Sequence, residues 1–391
     1  MKRFSAQYII TGTGEVLKRG VVSCDNSGKI IDVSDTGGML TETPATPFYN
    51  GIIVPGFVNC HSHIELSDMK GLLSRGTGLG QFIGEVREKR NPSQEEALKA
   101  IKQADRDLYR SGTSALADIC NTSLSFDIKD NSTLKYINFL EVFGVDPSKA
   151  SKRIEEIIAL KEEADTYSTP SYIVPHSVYS LSKTLFKELS VLIRGNDITS
   201  IHFLESPQER ELLENLDGEL MASYMRMGMG REDIKDRVPD HLFALTNYLP
   251  DEGNIILVHN TFASTDIIGK MQERPGVYWC LCPGSNIYIE DSLPPVDELL
   301  RRSATIVLGT DSLASNTSLN LLEELKTLQK HFISPGLPEL ITWATGNGAR
   351  ALKLDDLGTI ERGKTPGLVL IEDCDLDKLR LTDKSRSRRL I

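Results

Sequence analysis

The sequence predicts an α/β chain: a distorted (β/α)8 barrel of the TIM type, with a small β-sandwich domain formed from both chain termini. Three observations carry this prediction. Eight short apolar runs recur along the chain: IIVPGFVNC, SALADIC, YINFLEVFG, SYIVPHS, ITSIHFL, NIILVHN, GVYWCLC and TIVLGTD. Amphipathic stretches such as SQEEALKAIKQADRDLYRSG and SKRIEEIIALKEEAD separate several of them. Near-continuous apolar strands alternating with helices indicate a parallel sheet covered on its outside. Eight such units over this length fit the barrel, while strand counting alone leaves a doubly wound sheet open. Third, the chain ends differ from the middle. ITGTGEVLKRGVVSCDNSGKIIDVSD is a string of short strands with Gly and Asn-Ser-Gly turns, and LGTIERGKTPGLVLIEDC has the same character. The expected division therefore gives residues 1–52 and 351–391 to the β-sandwich and 53–350 to the barrel.

Composition narrows the function classes. The net charge of −11 and pI near 5.3 argue against a nucleic-acid partner, whose footprint is basic. They do not bear on a small-molecule substrate, because a cleft can oppose the global charge. The opening MKRFSAQYIITGTGEVL is too short and polar in its apolar part for a secretory segment, and no stretch approaches a membrane span. Six cysteines are scattered without a dense framework, so reduced thiols and a cytoplasmic location are expected. Cys280 and Cys282 read as buried small hydrophobes. The long interval at residues 207–250 holds the Met-bearing ELMASYMRMGMGREDIKD, readable either as a packing surface or as a lid or pocket wall.

The histidines fall in a pattern. His61 and His63 end strand one and, with period-two alternation, point to the same face. His176, His202 and His259 end strands four, five and six. His241 and His331 lie in helix-like intervals and read as structural or surface residues. A barrel places its active site at the strand ends, so five of the seven histidines converge on one mouth. Asp311, after the apolar strand TIVLG, is either a helix N-cap or a further member of that cluster. Three imidazoles and a carboxylate suit Zn2+ or Fe2+ better than Mg2+ or Ca2+. Glu205 follows His202 by three residues, where an unligated carboxyl could carry protons from a water to a leaving group.

PGFVNCHSH, PHSVYS, HFLE, LVHN, CPGSN, LGTDSLASN and ATGNGARALKL resemble, in order, the motifs of the amidohydrolase superfamily. The nearest branch is that of the mononuclear-metal deaminases and chlorohydrolases, including S-adenosylhomocysteine, methylthioadenosine and aminodeoxyfutalosine deaminases. The resemblance spans nearly the whole chain. It implies one divalent metal ion, Zn2+ or Fe2+, on His61, His63, His202 and Asp311. Glu205 becomes the proton shuttle, and His259 the group that hydrogen-bonds the attacking water or the tetrahedral intermediate. The fourth strand ends in Pro175-His176-Ser177 without a bridging Lys, as in the mononuclear branch, which makes His176 a substrate contact. Glu65 and the stretch TGLGQFIGEVREKR, with Gln81 and an Arg at 87 or 90, resemble the aminodeoxyfutalosine branch and are expected near the substrate.

The implied activity is hydrolytic deamination of an amino-purine nucleoside-like or related heteroaromatic amine by a metal-bound hydroxide. Hydrolysis of another C–X bond, a cyclic amide or a halogenated heteroaromatic, would use the same shell. An inactive scaffold would have lost a ligand, and here every expected ligand and Glu205 is present. The family also accommodates homo-oligomers.

Overall fold

The computed structural model describes residues 1–39 and 45–391. Near the N-terminus run β1 (Lys2–Ile10), β2 (Val16–Lys18), β3 (Val21–Cys24), β4 (Ile30–Ser34) and β5 (Phe48–Pro55). Eight parallel strands follow: β6 (Phe57–Ser62), β7 (Thr113–Cys120), β8 (Lys135–Val142), β9 (Ser171–Pro175), β10 (Ile198–Phe203), β11 (Asn254–His259), β12 (Val277–Leu281) and β13 (Ile306–Leu308). The chain closes with β14 (Leu368–Glu372) and β15 (Arg386–Arg389).

The terminal strands pair as one seven-stranded sheet, ordered β15-β14-β5-β1-β3-β4 with β2 beside β1. Phe4, Ile9, Val22, Ile53, Leu368 and Leu370 form its own apolar cluster. The run IIVPGFVNC, expected as one strand, is two. Its first half is the end of β5, which pairs with β14 as far as Pro55, past the expected division after residue 52. Gly56 stands at the break, where only glycine fits: a Cβ there would fall 1.8 Å from the Ser114 hydroxyl oxygen.

The eight middle strands form two parallel runs, β6-β7-β8-β9 and β10-β11-β12-β13. Single parallel bridges join them, Ser177 to His202 at one seam and Ser62 to Asp311 at the other. Both seams of this distorted barrel therefore contain a residue expected at the metal. Inside, Val58, Cys60, Ala115, Ala117, Phe139, Val258 and Cys280 share one cluster. The alternate residues, among them Phe57, Leu140, Phe203, Leu257 and Trp279, pack with the surrounding helices. The helix Gln94–Ser111 shows how the sequence sets such an element. Ser93 and Glu96 make a capping box at its start, Gly112 takes a left-handed φ of 105 at its end, and Ala97, Ile101, Ala104 and Leu108 bury one face. Among the described residues no helix is long and apolar enough to cross a membrane.

Candidate metal centre and cavity

Five imidazoles and one carboxylate meet where the strands end. Nε2 of His63 lies 3.1 Å from Nε2 of His61 and 3.3 Å from Nε2 of His202. Asp311 Oδ1 stands 3.4 Å from the His63 nitrogen and 3.7 Å from that of His61. Imidazole nitrogens aimed at one another can share at most one proton per contact. A cation between them would give these ring lone pairs and the carboxylate a common partner. Ligand atoms held tetrahedrally at the usual lengths lie about 3.3 Å apart, close to the spacings from His63 to His61, His202 and Asp311. His61, His63 and Asp311 form one group of mutually near ligand atoms, and His61, His202 and His259 a second.

The backbone is bent to make this possible. The pairing of β6 with β7 shifts register between Asn59 and Ser62, so His61 joins the cluster although Val58 and Cys60 already face inward. Val258 also faces inward, and regular alternation would send His259 outward. Instead His259 adopts a φ of 74, and its ring stands 5.7 Å from His61 and 5.5 Å from His202. Asp311, at φ 56, is also in the left-handed region. Such conformations cost of order 1–3 kcal/mol each and concentrate at functional sites. Asp311 is not a helix cap: Asn320 caps the following helix, Leu321–His331.

Surrounding groups orient the shell. Ser285 and Ser315 donate to Oδ2 of Asp311, leaving Oδ1 for the imidazoles. His202 donates from Nδ1 to the His176 carbonyl at 2.9 Å, with Glu141 Oε1 3.4 Å away, so its Nε2 faces the centre. Asn286 Nδ2 lies 3.1 Å from Nδ1 of His259, turning Nε2 of that ring toward Glu205 Oε1 at 3.6 Å. Burial pulls His63 and His259 down to about 3. Burial and neighbouring imidazoles hold His202 well below the usual histidine value. Burial opposes ionisation of Asp311, yet the bond from His61 and the nearby His63 and His259 keep its carboxyl well below the carboxylate range. For His63, His202 and Asp311 these directions favour the deprotonated forms that coordinate a metal. Glu205 goes the other way: burial, with Asp311 and Glu209 beside it, pushes its carboxyl well above the carboxylate range.

His63, His176, His202, Glu205, His259 and Asp311 line one cavity of about 570 Å³. Its wall includes Phe82, Ile83 and Val86 of the helix Leu79–Lys89, and Leu220 and Tyr224 of the helix Gly218–Arg226. Met227 and Met229 extend that wall, so part of the 207–250 interval borders the cavity.

Two expected substrate contacts lie elsewhere. Gln81 is on the exposed side of its helix and donates to Glu85 at 3.0 Å. Glu65 turns away from the cavity, accepting from Asn121 N and Ser125 Oγ at 3.3 Å each. Beneath it, Lys129 and Asp118 form a fully buried ion pair at 2.6 Å, and Asp118 also accepts from the Ile64 N–H. Of the two arginines, Arg87 lines the cavity, whereas Arg90 donates to the Glu65 carbonyl at 2.6 Å. Glu141 and Asn286 were not among the residues expected. Glu141 had a signal, a carboxylate near the end of the mostly apolar strand YINFLEV, and Asn286 lies in the CPGSN motif.

A parallel barrel with a His/Asp cluster at its strand ends is the setting of a candidate metal site. The comparisons add the class: residues 52–387 match the amidohydrolase family, and the chain belongs to it. It is 27% identical to the adenosine deaminase of Helicobacter pylori, over 87% of this chain and 84% of the relative. The 5-methylthioadenosine/S-adenosylhomocysteine deaminase of Thermodesulfovibrio yellowstonii is 25% identical over 94% of this chain and 84% of its own length. Among solved structures, Helicobacter pylori aminofutalosine deaminase in complex with methylthio-coformycin matches with a TM-score of 0.78 and 25% identity, covering 95% of this chain and 92% of that one.

Proposed function

We propose that this chain hydrolytically deaminates an adenosine-like nucleoside, with one divalent ion, Zn2+ before Fe2+, held by His61, His63, His202 and Asp311. The observation that carries the reading is the place of Glu205. It is a buried carboxyl that lines the same cavity as the ligand cluster, outside that cluster, with its oxygen 3.6 Å from His259 Nε2. The relatives named as adenosine-type deaminases support the substrate class.

A divalent ion in this shell would lower the pKa of a bound water and make it nucleophilic near neutral pH. The chain's own groups do the rest. Asp311, kept ionised, accepts a proton from the attacking water. Glu205, kept protonated by burial, donates to the ring nitrogen beside the amine-bearing carbon. As the new C–O bond forms, His259 Nε2 is placed to hydrogen-bond the incoming oxygen. Glu205, now a carboxylate, takes the hydroxyl proton of the adduct and passes it to the departing amine. The C–N bond breaks, the carbonyl forms, ammonia leaves, and the proton held on Asp311 returns through solvent to restore the Glu205 acid. His176, fixed through Nδ1 by Ser177 and Ser180 at 2.9 and 2.8 Å, presents its other edge to the substrate.

Ammonia release from adenosine, 5′-deoxyadenosine, 5′-methylthioadenosine, S-adenosylhomocysteine and aminodeoxyfutalosine tests the reading. At least one should be converted to its 6-oxo product. Metal-loaded protein that releases ammonia from none of them contradicts it.

A further inference from the structure

Behind Glu205 sit two buried groups that take no part in the cavity. Glu209 Oε1 accepts from the backbone N–H of Glu205 at 2.6 Å and from that of Ser206 at 3.2 Å. Its other oxygen accepts from Nε2 of His241 at 2.6 Å, across 32 residues of chain. Part of this is ordinary capping, since Ser206 and Glu209 form the capping box of the helix Pro207–Asn215. Capping explains the bond to Ser206. It does not explain the shorter bond to Glu205, nor why Glu209 is 0% and His241 6% exposed when a capping box works on the surface.

The backbone just before Glu205 needs such support. Leu204 is held at φ 48, a left-handed conformation that a branched side chain keeps only where its surroundings impose it. The His241 ring also packs edge-on to Phe203, centroids 5.5 Å apart, at the end of β10. The same turn is tied to the cavity wall. Gly80 N–H donates to Gln208 Oε1 at 2.8 Å, and Ser223 Oγ donates to the Gly80 carbonyl at 2.7 Å.

We infer that Glu209 and His241 are positioning residues for Glu205. His241 fixes the Glu209 carboxylate, the carboxylate fixes the Glu205 N–H, and the Glu205 side chain is thereby kept facing His259. The same contact closes the base of the chain excursion that carries the helix Gly218–Arg226, so the wall and the proton carrier share one brace. The inference rests on the reading of Glu205 as the proton carrier.

The test compares metal-loaded wild-type protein with His241→Leu and His241→Gln. The readouts are kcat, KM, metal per chain and hydrogen exchange at the Glu205 and Ser206 amides. His241→Leu should lower kcat by about 10²-fold, the size of effect a small misplacement of a reacting group produces. KM should move by less than about threefold and metal content should hold, because uniform binding is untouched. His241→Gln, which still offers an N–H to Glu209, should recover most of kcat. Amide protection at 205 and 206 should fall in the Leu variant and not in the Gln variant. Should His241→Leu fail to fold, Glu209→Asp keeps the charge, shortens the reach, and should show the same kcat loss. Unchanged kcat in the folded variant, or a kcat loss accompanied by metal loss, overturns the inference. If the wild type turns over no nucleoside, the proposed function fails, and the exchange data decide the brace alone: faster exchange upholds it, unchanged protection overturns it.

Discussion

At the floor of the cavity, His61, His202, His259 and Asp311 sit at barrel strand ends with 6% exposure or less. On its wall, Phe82, Ile83, Val86, Met227 and Met229 hang from helices and their connections, and all are partly exposed. Three of these floor residues are held by polar partners outside the cluster: Ser285 and Ser315 on Asp311, Asn286 on His259, and the His176 carbonyl on His202. Wall residues are held by apolar contact, which tolerates exchange of one side chain for another of similar volume. The difference separates two tasks. A fixed floor suits one chemistry, and an adaptable wall suits the choice of substrate.

Substitutions can break or sharpen that contrast. The largest effect is expected from Glu205→Gln, which should retain the metal and lower kcat by roughly 10²- to 10⁴-fold, the range for loss of a proton-transfer group. Ammonia assays paired with metal analysis check it, and near-normal turnover would remove Glu205 from the mechanism. Next comes Glu141→Gln, which removes the cavity-lining carboxylate 3.4 Å from Nδ1 of His202 and should cost about 10- to 100-fold in metal affinity or activity. A competition titration against a chelator reads the first of these. A floor variant that changed substrate preference while keeping kcat would contradict the division of tasks. The smallest effect belongs to the wall. Val86→Ala removes two partly exposed methyl groups and should raise KM by roughly three- to tenfold with kcat unchanged, at ~0.8 kcal/mol per fully buried methylene. A fall in kcat with constant KM there would mean the wall also positions the reacting atoms.

The floor was largely legible in the sequence, because an apolar strand that stops at His or Asp marks a barrel mouth. The bends that aim those residues were not. Regular alternation from Val258 would have turned His259 outward, and a left-handed φ of 74 reverses that. Glu65 and Gln81 show the opposite failure. Both lie in stretches resembling a substrate-contacting branch, yet Glu65 is drawn under the 121–125 turn and Gln81 faces outward beside Glu85. Which face of a short helix meets a cavity depends on packing from distant chain, and no local spacing records it. Glu209 and His241 were hidden for the same reason, since 32 residues separate two side chains whose contact is direct. The single strand expected over IIVPGFVNC is two, parted at Gly56, the first pairing with the terminal sheet and the second with the barrel.

The proposed deamination depends on one metal ion held by His61, His63, His202 and Asp311. It is tested most directly by stripping the protein with a chelator and titrating Zn2+ back while following ammonia release. The stripped protein should show no turnover, and activity should rise with added metal and level off at one ion per chain. Full activity without metal, or a plateau only at two ions per chain, would contradict it.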